Sequence, residues 1–356
     1  MSAKVQRTPI PDSALNHALE LLEAGIHLSR NQSRAAFDLL MDGTATADQM
    51  ERLLLALRSL GETSEEIAGA ADSLRAVMVR LSARPGALVD TCGTGGGRIT
   101  TFNISSASSF VAAGAGVRVA KHGNRSHTTR SGSADLFESL GVDIGLSAER
   151  AGEVLGQIGL VFLFAPQYHP AMRHVGPTRK KLGVSTIMNL VGPLANPAGV
   201  RRQVMGVFDA TKGPTVADAL LRLGAEHAVV VHAQTGMDEI SPSGMTDIWE
   251  VKEDRITHWL LDPEEFGLAC HDLPALAGGD SSLNAARVER LLSRERDDDV
   301  GRCAVLLNAA AAIYVAEQGI SFSEAVDRAR SSLENGAAEK VLHDLRREGT
   351  REAGSK

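Results

Sequence analysis

Five short runs constrain the architecture of this chain more than anything else in it: LVDT at 88–91, VRVA at 117–120, LVFLFA at 160–165, VMGVF at 204–208 and AVVVH at 228–232. Each reads as a β-strand buried on both faces, and helix-length segments rich in Ala and Leu separate them. Strands of that kind need cover above and below, which predicts a mainly parallel sheet covered by helices. Two later stretches, NAAAAIYVAEQ at 308–318 and SFSEAVDRARSSLENGAAEKVLHDL at 321–345, read as long helices able to supply cover. The small side chains of the first permit close helix packing.

The residues before this α/β region follow a different period. Ala36, Phe37, Leu40 and Met41 share one helical face, as do Leu53, Leu54, Leu57 and Leu60, and Ile67, Ala71, Leu74 and Met78 continue the pattern. Thr44 and Thr46 are cap candidates before the second group. GETSEE at 61–66 separates it from the third and places acids in the next first turn. No strand candidate interrupts these helices, and RPGAL at 84–88 reads as the exit. The expected organisation is therefore a small helical domain over 1–83 and a larger α/β domain, a division that 356 residues and 43% hydrophobic content can sustain.

Charge and composition narrow the function classes. A net charge of -7 and only 4% aromatic residues argue against a general nucleic-acid binder, which needs a basic stripe and stacking platforms. No stretch approaches the roughly 18 apolar residues of a membrane span, and the first residues do not form a signal peptide. Cys92, Cys270 and Cys303 are spaced by 178 and 33 residues, so neither a zinc cluster nor a disulfide framework is indicated. A cytoplasmic, reducing setting is expected.

Ligands of open parallel sheets bind beyond the carboxyl ends of the strands, where helices begin. After LVDT comes CGTGGGRITTFNISS, in which Gly93, Gly95, Gly96 and Gly97 allow a tight turn with exposed N–H groups, and Asn103, Ser105 and Ser106 stand at a helix start. That combination suits an anion, although a turn serving only a tight crossover has the same composition. After VRVA comes KHGNRSHTTRSGSAD, with Lys121, Asn124, Arg125, Ser131 and Ser133 as a second phosphate-ready segment. Lys121 read by itself is equally a solvated surface residue, and His122 is a local hydrogen-bonding group. After AVVVH the adjacent acids Asp238 and Glu239 stand in a turn. They suit Mg²⁺, which takes carboxylates, waters and substrate phosphates, or a plain solvated turn. After LVFLFA, Arg173, Arg179, Lys180 and Lys181 cluster near His169 and His174; an Arg can clamp a carboxylate, while the two lysines read as surface charges.

Together these blocks resemble the anthranilate phosphoribosyltransferase family over nearly the full length: LLALRSLGETSEEIAGAA, DTCGTGG, TFNISS, VAKHGNRS, SGSADLFESLG, FAPQYHPAMRHVGPTRKKLG, NLVGPLANPAG and MDEISPSG occur in order. KHGNR together with NLVGPLANP is far more specific than a glycine signature. The resemblance implies a fold shared with pyrimidine-type nucleoside phosphorylases and a homodimer formed through the helical domain. It also implies that 166–184 rejoins that domain, leaving 84–165 and 185–350 as the phosphoribosyl-diphosphate-binding domain, with the active site in the cleft between them. It implies transfer of phosphoribosyl from phosphoribosyl diphosphate to the amino group of anthranilate. Gly93, Thr94, Gly95 and Gly96 would cradle diphosphate; Thr101, Asn103, Ser105 and Ser106 would make contacts at the helix start. Lys121, His122, Asn124 and Ser133 would add substrate contacts, and Gly123 would let backbone approach the aromatic substrate. Asp238, Glu239 and Ser105 would hold Mg²⁺, and His169 with Arg179 would bind anthranilate. A relative that ribosylates another aromatic amine, and a non-catalytic phosphate- or nucleic-acid-binding descendant, remain the alternatives. The intact acidic pair favours an enzyme.

Overall fold

The computed structural model describes residues 13–353 except 85, 96–98, 127–129, 294 and 296. The expected contacts at Gly96, and the neighbouring Gly97, lie outside the described residues. The chain divides into two compact units, one formed by Met1–Met78 with His169–Val191, the other by Val79–Tyr168 with Gly192–Lys356.

The first unit is helical. Its helices are Ser13–Glu23, Arg30–Asp42, Ala47–Leu60, Ser64–Val77, Met172–Leu182 and Ile187–Val191. Three of them begin with reciprocal capping boxes, Ser29 with Gln32, Thr46 with Gln49 and Thr63 with Glu66, so the sequence marks each start locally. Thr44 is not a cap; its hydroxyl donates to Leu39 O at 3.1 Å, closing the preceding helix. Gly69 lets the second and fourth helices touch, because a Cβ there would lie 2.3 Å from Arg30 O.

The returning segment extends beyond the expected 166–184. It starts at His169 and continues to Val191, because Ile187, Met188, Leu190 and Val191 are buried within the helical unit. Residues 79–83 belong to the other unit: Leu81 joins its core, and a Cβ on Gly152 would meet Ser82 O at 2.3 Å.

The second unit holds a seven-stranded sheet. Its strands are β1 (Val89–Gly93), β2 (Val119–Gly123), β3 (Leu160–Phe164), β4 (Arg202–Gly206), β5 (His227–Ala233), β6 (Thr246–Lys252) and β7 (Arg255–Leu261), in spatial order β3-β2-β1-β4-β5-β6-β7. The first five are parallel, as their apolar character predicts, and β5, β6 and β7 run antiparallel. Helices cover the sheet; Ile104–Gly114 and Asp299–Ala316 pack closely through small residues, with Ala309 to Ala312 fully buried. The stretch 321–345 forms two helices, Phe322–Glu334 and Ala337–Ala353, broken where Gly336 adopts φ +80°. Asp299–Ala316 is, among the described residues, the one helix long and apolar enough to cross a membrane, and its burial makes it the core helix of this unit.

Candidate active site

The strand order reverses between β1 and β4, since the chain proceeds outward through β2 and β3 on one side and through β5 on the other. Crevices at such a reversal are where doubly wound sheets bind ligands. Here both strands end in glycine, and Gly93 and Gly206 are register partners. The reason lies in the acidic turn after β5. A Cβ on Gly206 would sit 1.7 Å from Asp238 O, and one on Gly93 would sit 3.2 Å from Asp238 Oδ2. The two glycines let the carboxylate-bearing turn lie directly on the strand ends.

Glu239 ties this turn to the glycine-rich segment. Its Oε1 accepts the Ser105 backbone N–H at 2.9 Å, and its Oε2 accepts the Thr101 hydroxyl at 3.3 Å. Helix Ile104–Gly114 has no side-chain cap of its own at Asn103, so Glu239 supplies the side-chain acceptor for a free N–H of its first turn. Asn103 instead holds neighbouring chain: its Oδ1 accepts from Ser131 Oγ and Asn284 Nδ2. Asn308 fixes the residue after the acids, exchanging hydrogen bonds with Ile240 N and O at 3.0 and 2.8 Å.

Burial pushes the Asp238 carboxyl up. It raises Glu239 to about 8, with Asp238 adding to the rise and Ser105, Lys121 and Thr101 opposing it. Two adjacent carboxyl groups that resist joint ionisation fit a divalent cation, whose charge would relieve both. Among the described residues no cluster of three or more His, Cys, Asp or Glu could hold a metal. A two-carboxylate set with a nearby hydroxyl therefore suits Mg²⁺, which completes its shell with water and phosphate, better than a metal needing a full protein cage.

Lys121 is not a solvated surface residue. It is 1% exposed, and its Nζ donates to Thr91 O at 2.5 Å, with Thr91 Oγ1 and Ser105 Oγ at 3.3 and 3.4 Å. Burial lowers its pKa, opposed by Asp90 first and then by Cys92 and Glu239. Asp90 is fully buried in β1, and β1 and β2 pair in register only at Val89 and Val119. Past that pair the Asp90 carboxylate spans the gap, accepting His122 N at 3.1 Å and Asn196 Nδ2 at 2.8 Å. Asn196 also donates to Ala120 O at 2.8 Å. Burial raises Asp90 to about 6 against the opposing pull of Lys121 and these donors.

The remaining predicted residues divide. Thr94 N donates to Gly206 O at 2.9 Å, while the buried Thr94 Oγ1 and Ser106 Oγ have no hydrogen-bond partner among the described residues. Gly95 adopts φ +65° with open space around it. Gly123 has a structural reason to be glycine, because a Cβ there would lie 2.1 Å from Ser133 Oγ. The buried His122 and the exposed Asn124 continue β2 into this contact. Arg125 is engaged by Asp135 and Glu138 at 2.8 and 2.5 Å, so it belongs to the loop's own framework.

In the helical unit, His169 is buried and Arg173 is exposed. Lys181 pairs with Glu51 at 2.6 Å. Arg179 is half-buried and its guanidinium has no hydrogen-bond or ion-pair partner among the described residues; burial alone lowers its pKa.

Comparison with known proteins decides the family. Residues 16–78 match the glycosyl transferase family helical bundle domain, and residues 85–339 match the glycosyl transferase family a/b domain. The chain is 46% identical to the anthranilate phosphoribosyltransferase of Rubrobacter xylanophilus over 340 residues, covering 96% of this chain and 99% of the relative. It belongs to the anthranilate phosphoribosyltransferase family. The Thermus thermophilus member has a solved structure that superimposes with a TM-score of 0.87 at 41% identity, covering 92% of this chain and 98% of that one. The Saccharomyces cerevisiae member, solved in complex with PRPP and Mg, gives 0.87 at 26% identity, covering 96% and 99%.

Four residues that support the candidate site escape a reading of the sequence: Asp90, Asn196, Gly206 and Asn308. Asp90 did carry a signal. An acid inside a strand buried on both faces must find donors or remain uncharged.

Proposed function

We propose that this chain transfers the 5-phosphoribosyl group from phosphoribosyl diphosphate to the amino nitrogen of anthranilate, releasing diphosphate, as a step of tryptophan biosynthesis. The observation that carries the reading is the acidic turn held over the β1–β4 reversal, with Glu239 bonded to the start of the helix after the glycine-rich turn. Asp238, Glu239 and Ser105 would hold Mg²⁺, which when bound supplies positive charge to the departing diphosphate.

The protein's own part is to bind, align and stabilise charge. Anthranilate's amine is neutral near pH 7 and carries its own lone pair, so no strong base is required; the difficult event is loss of a highly charged leaving group from the ribose carbon. The turn of Gly93, Thr94 and Gly95, with Thr101, Asn103, Ser105 and Ser106, would receive the diphosphate. The unbonded hydroxyls of Thr94 and Ser106 are donors ready for phosphate oxygens. Lys121 would place its charge behind this surface, and His122, Asn124 and Ser133 would line the ribose phosphate side, with Gly123 keeping the backbone close. Arg179, with His169 beside it in the sequence pattern, would clamp the anthranilate carboxylate: an unpartnered, partly desolvated guanidinium gains most from a bidentate anion. A homodimer formed through the helical unit, and a cytoplasmic location without nucleic-acid or membrane partners, complete the proposal.

Loss of anthranilate fluorescence on mixing protein, Mg²⁺, phosphoribosyl diphosphate and anthranilate tests it, with para-aminobenzoate and other aromatic amines as controls. Absence of turnover with anthranilate, or preferred turnover of another amine, rejects it. Arg179→Ala is expected to lower kcat/KM for anthranilate on the order of 100-fold, the worth of a charge-assisted pair, with the KM for phosphoribosyl diphosphate little changed. Equal loss toward both substrates in steady-state titrations would remove Arg179 from this role.

A further inference from the structure

The three cysteines are not equivalent. Cys92 lies on β1, where Gln203 donates to its sulfur at 3.1 Å, whereas Cys270 and Cys303, 33 positions apart in sequence, bring their Sγ atoms to 3.2 Å. All three are free thiols and none is fully buried. Each member of the close pair is tied to the same short stretch, Ile240–Ser243, which directly follows the acids. Cys270 N donates to Pro242 O at 2.8 Å, and Cys270 O accepts the Ser243 hydroxyl at 2.6 Å. Cys303 occupies the first turns of helix Asp299–Ala316, and Asn308 of that helix grips Ile240 through both its N–H and its carbonyl.

We propose that Cys270 and Cys303 form a site of reversible disulfide modification that stiffens the support of the Asp238–Glu239 turn and thereby tunes substrate binding. The modification rests on the thiol geometry; its effect on binding rests on the function proposed above. Small-molecule disulfides are the oxidant class. Cys303, on the helix, acts second, and Cys270, in the loop before it, is the first to attack. Its sulfur attacks one sulfur of R–S–S–R and expels RS⁻, which leaves as RSH with the Cys270 proton. Cys303 sulfur then attacks the Cys270 sulfur of the mixed disulfide, and the second RS⁻ leaves with the Cys303 proton. Two protein thiols thus lose two electrons and two protons, and one small disulfide becomes two thiols. Closure shortens the sulfur separation from 3.2 Å to about 2.05 Å and ties the two anchors of the Ile240–Ser243 stretch together covalently.

The test equilibrates the full-length protein in glutathione buffers from fully reduced to mostly oxidised, then acid-quenches, alkylates and maps peptides by mass spectrometry. The expected result is a cross-linked Cys270–Cys303 peptide, reversed by reductant, with Cys92 still alkylatable. Failure to cross-link in oxidised buffer while circular dichroism remains native overturns the modification site, as does cross-linking only after denaturation. On the catalytic side, oxidised and reduced wild-type protein should differ in half-saturation for phosphoribosyl diphosphate on the order of fivefold, with no redox response in Cys303→Ser. Cross-linking with identical half-saturation overturns the tuning. If neither form turns over anthranilate, the proposed function fails, and the cross-linked peptide still decides whether the thiol pair is real.

Discussion

Gly206→Ala is expected to fold and to lose on the order of 100-fold in kcat, the scale on which misplacing a catalytic group by about 1 Å acts. The added Cβ would fall 1.7 Å from Asp238 O and 2.8 Å from Asp238 C. Both obstacles are backbone, so no rotamer change relieves them. β4 is held in register on both sides, by β1 and β5, and its end cannot yield. The acidic turn must lift instead. Lifting it strains the hydrogen bond from Ser105 N to Glu239 and the pair that Asn308 makes with Ile240. Overpacking of this kind costs about 1–3 kcal/mol of stability, which a domain with this sheet can absorb. Steady-state kinetics beside thermal melts check the division. Activity close to wild type would show that the turn's seat on β4 is not needed for function, and loss of the folded state would place the glycine in folding alone.

How much of this could be read from the residues differs by element. The five apolar runs declare a parallel sheet because burial on both faces leaves a one-dimensional mark. β6 and β7 leave none. Most of β7 is exposed, and their hairpin turns through Glu253 and Asp254 at φ 51° and 56° without the Asn or Gly that usually marks such a turn. Gly93 was legible as part of a glycine cluster. Gly206 sits inside an apolar run, and only the acidic turn descending on it shows why a side chain is forbidden there. Lys121 was open between surface and ligand because its burial depends on Thr91, a neighbour in space contributed by another strand. Arg125 looked like one of several phosphate donors, yet Asp135 and Glu138, 10 and 13 positions later, engage it. The motifs located the site; the pairings that govern its electrostatics arise only when β1, β2 and β4 lie side by side.

Those electrostatics give the second large effect. Without Mg²⁺, the protein should lose stability as pH rises from about 4.5 to about 8, and Glu239→Gln should abolish most of that loss. Unfolded, Glu239 titrates near its ordinary 4.5; folded, it titrates at about 8, chiefly through burial, with the neighbouring Asp238 carboxyl adding to the rise. Between those values the folded chain holds a proton that the unfolded chain has released. The unfolded state then binds fewer protons, so stability is full below the lower value and declines as pH passes through the higher. The size is on the order of a few kcal/mol. Asp238, also raised, adds to the same trend. Gln preserves the acceptor for Ser105 N and the shape of the turn while removing the charge, so the metal-free variant should be the more stable protein near pH 8. Mg²⁺ should stabilise the wild type most at that pH, where binding no longer competes with the proton, and should do little for the variant. The same substitution should cost on the order of 100-fold in kcat, since transition-state charge on the diphosphate loses a few kcal/mol of stabilisation. Denaturant melts of both proteins at pH 5, 6.5 and 8, with and without Mg²⁺, decide the matter. A wild type whose metal-free stability rises or stays level over that range would mean that Glu239 ionises as an ordinary carboxylate and that the acidic turn is not electrostatically poised for a cation.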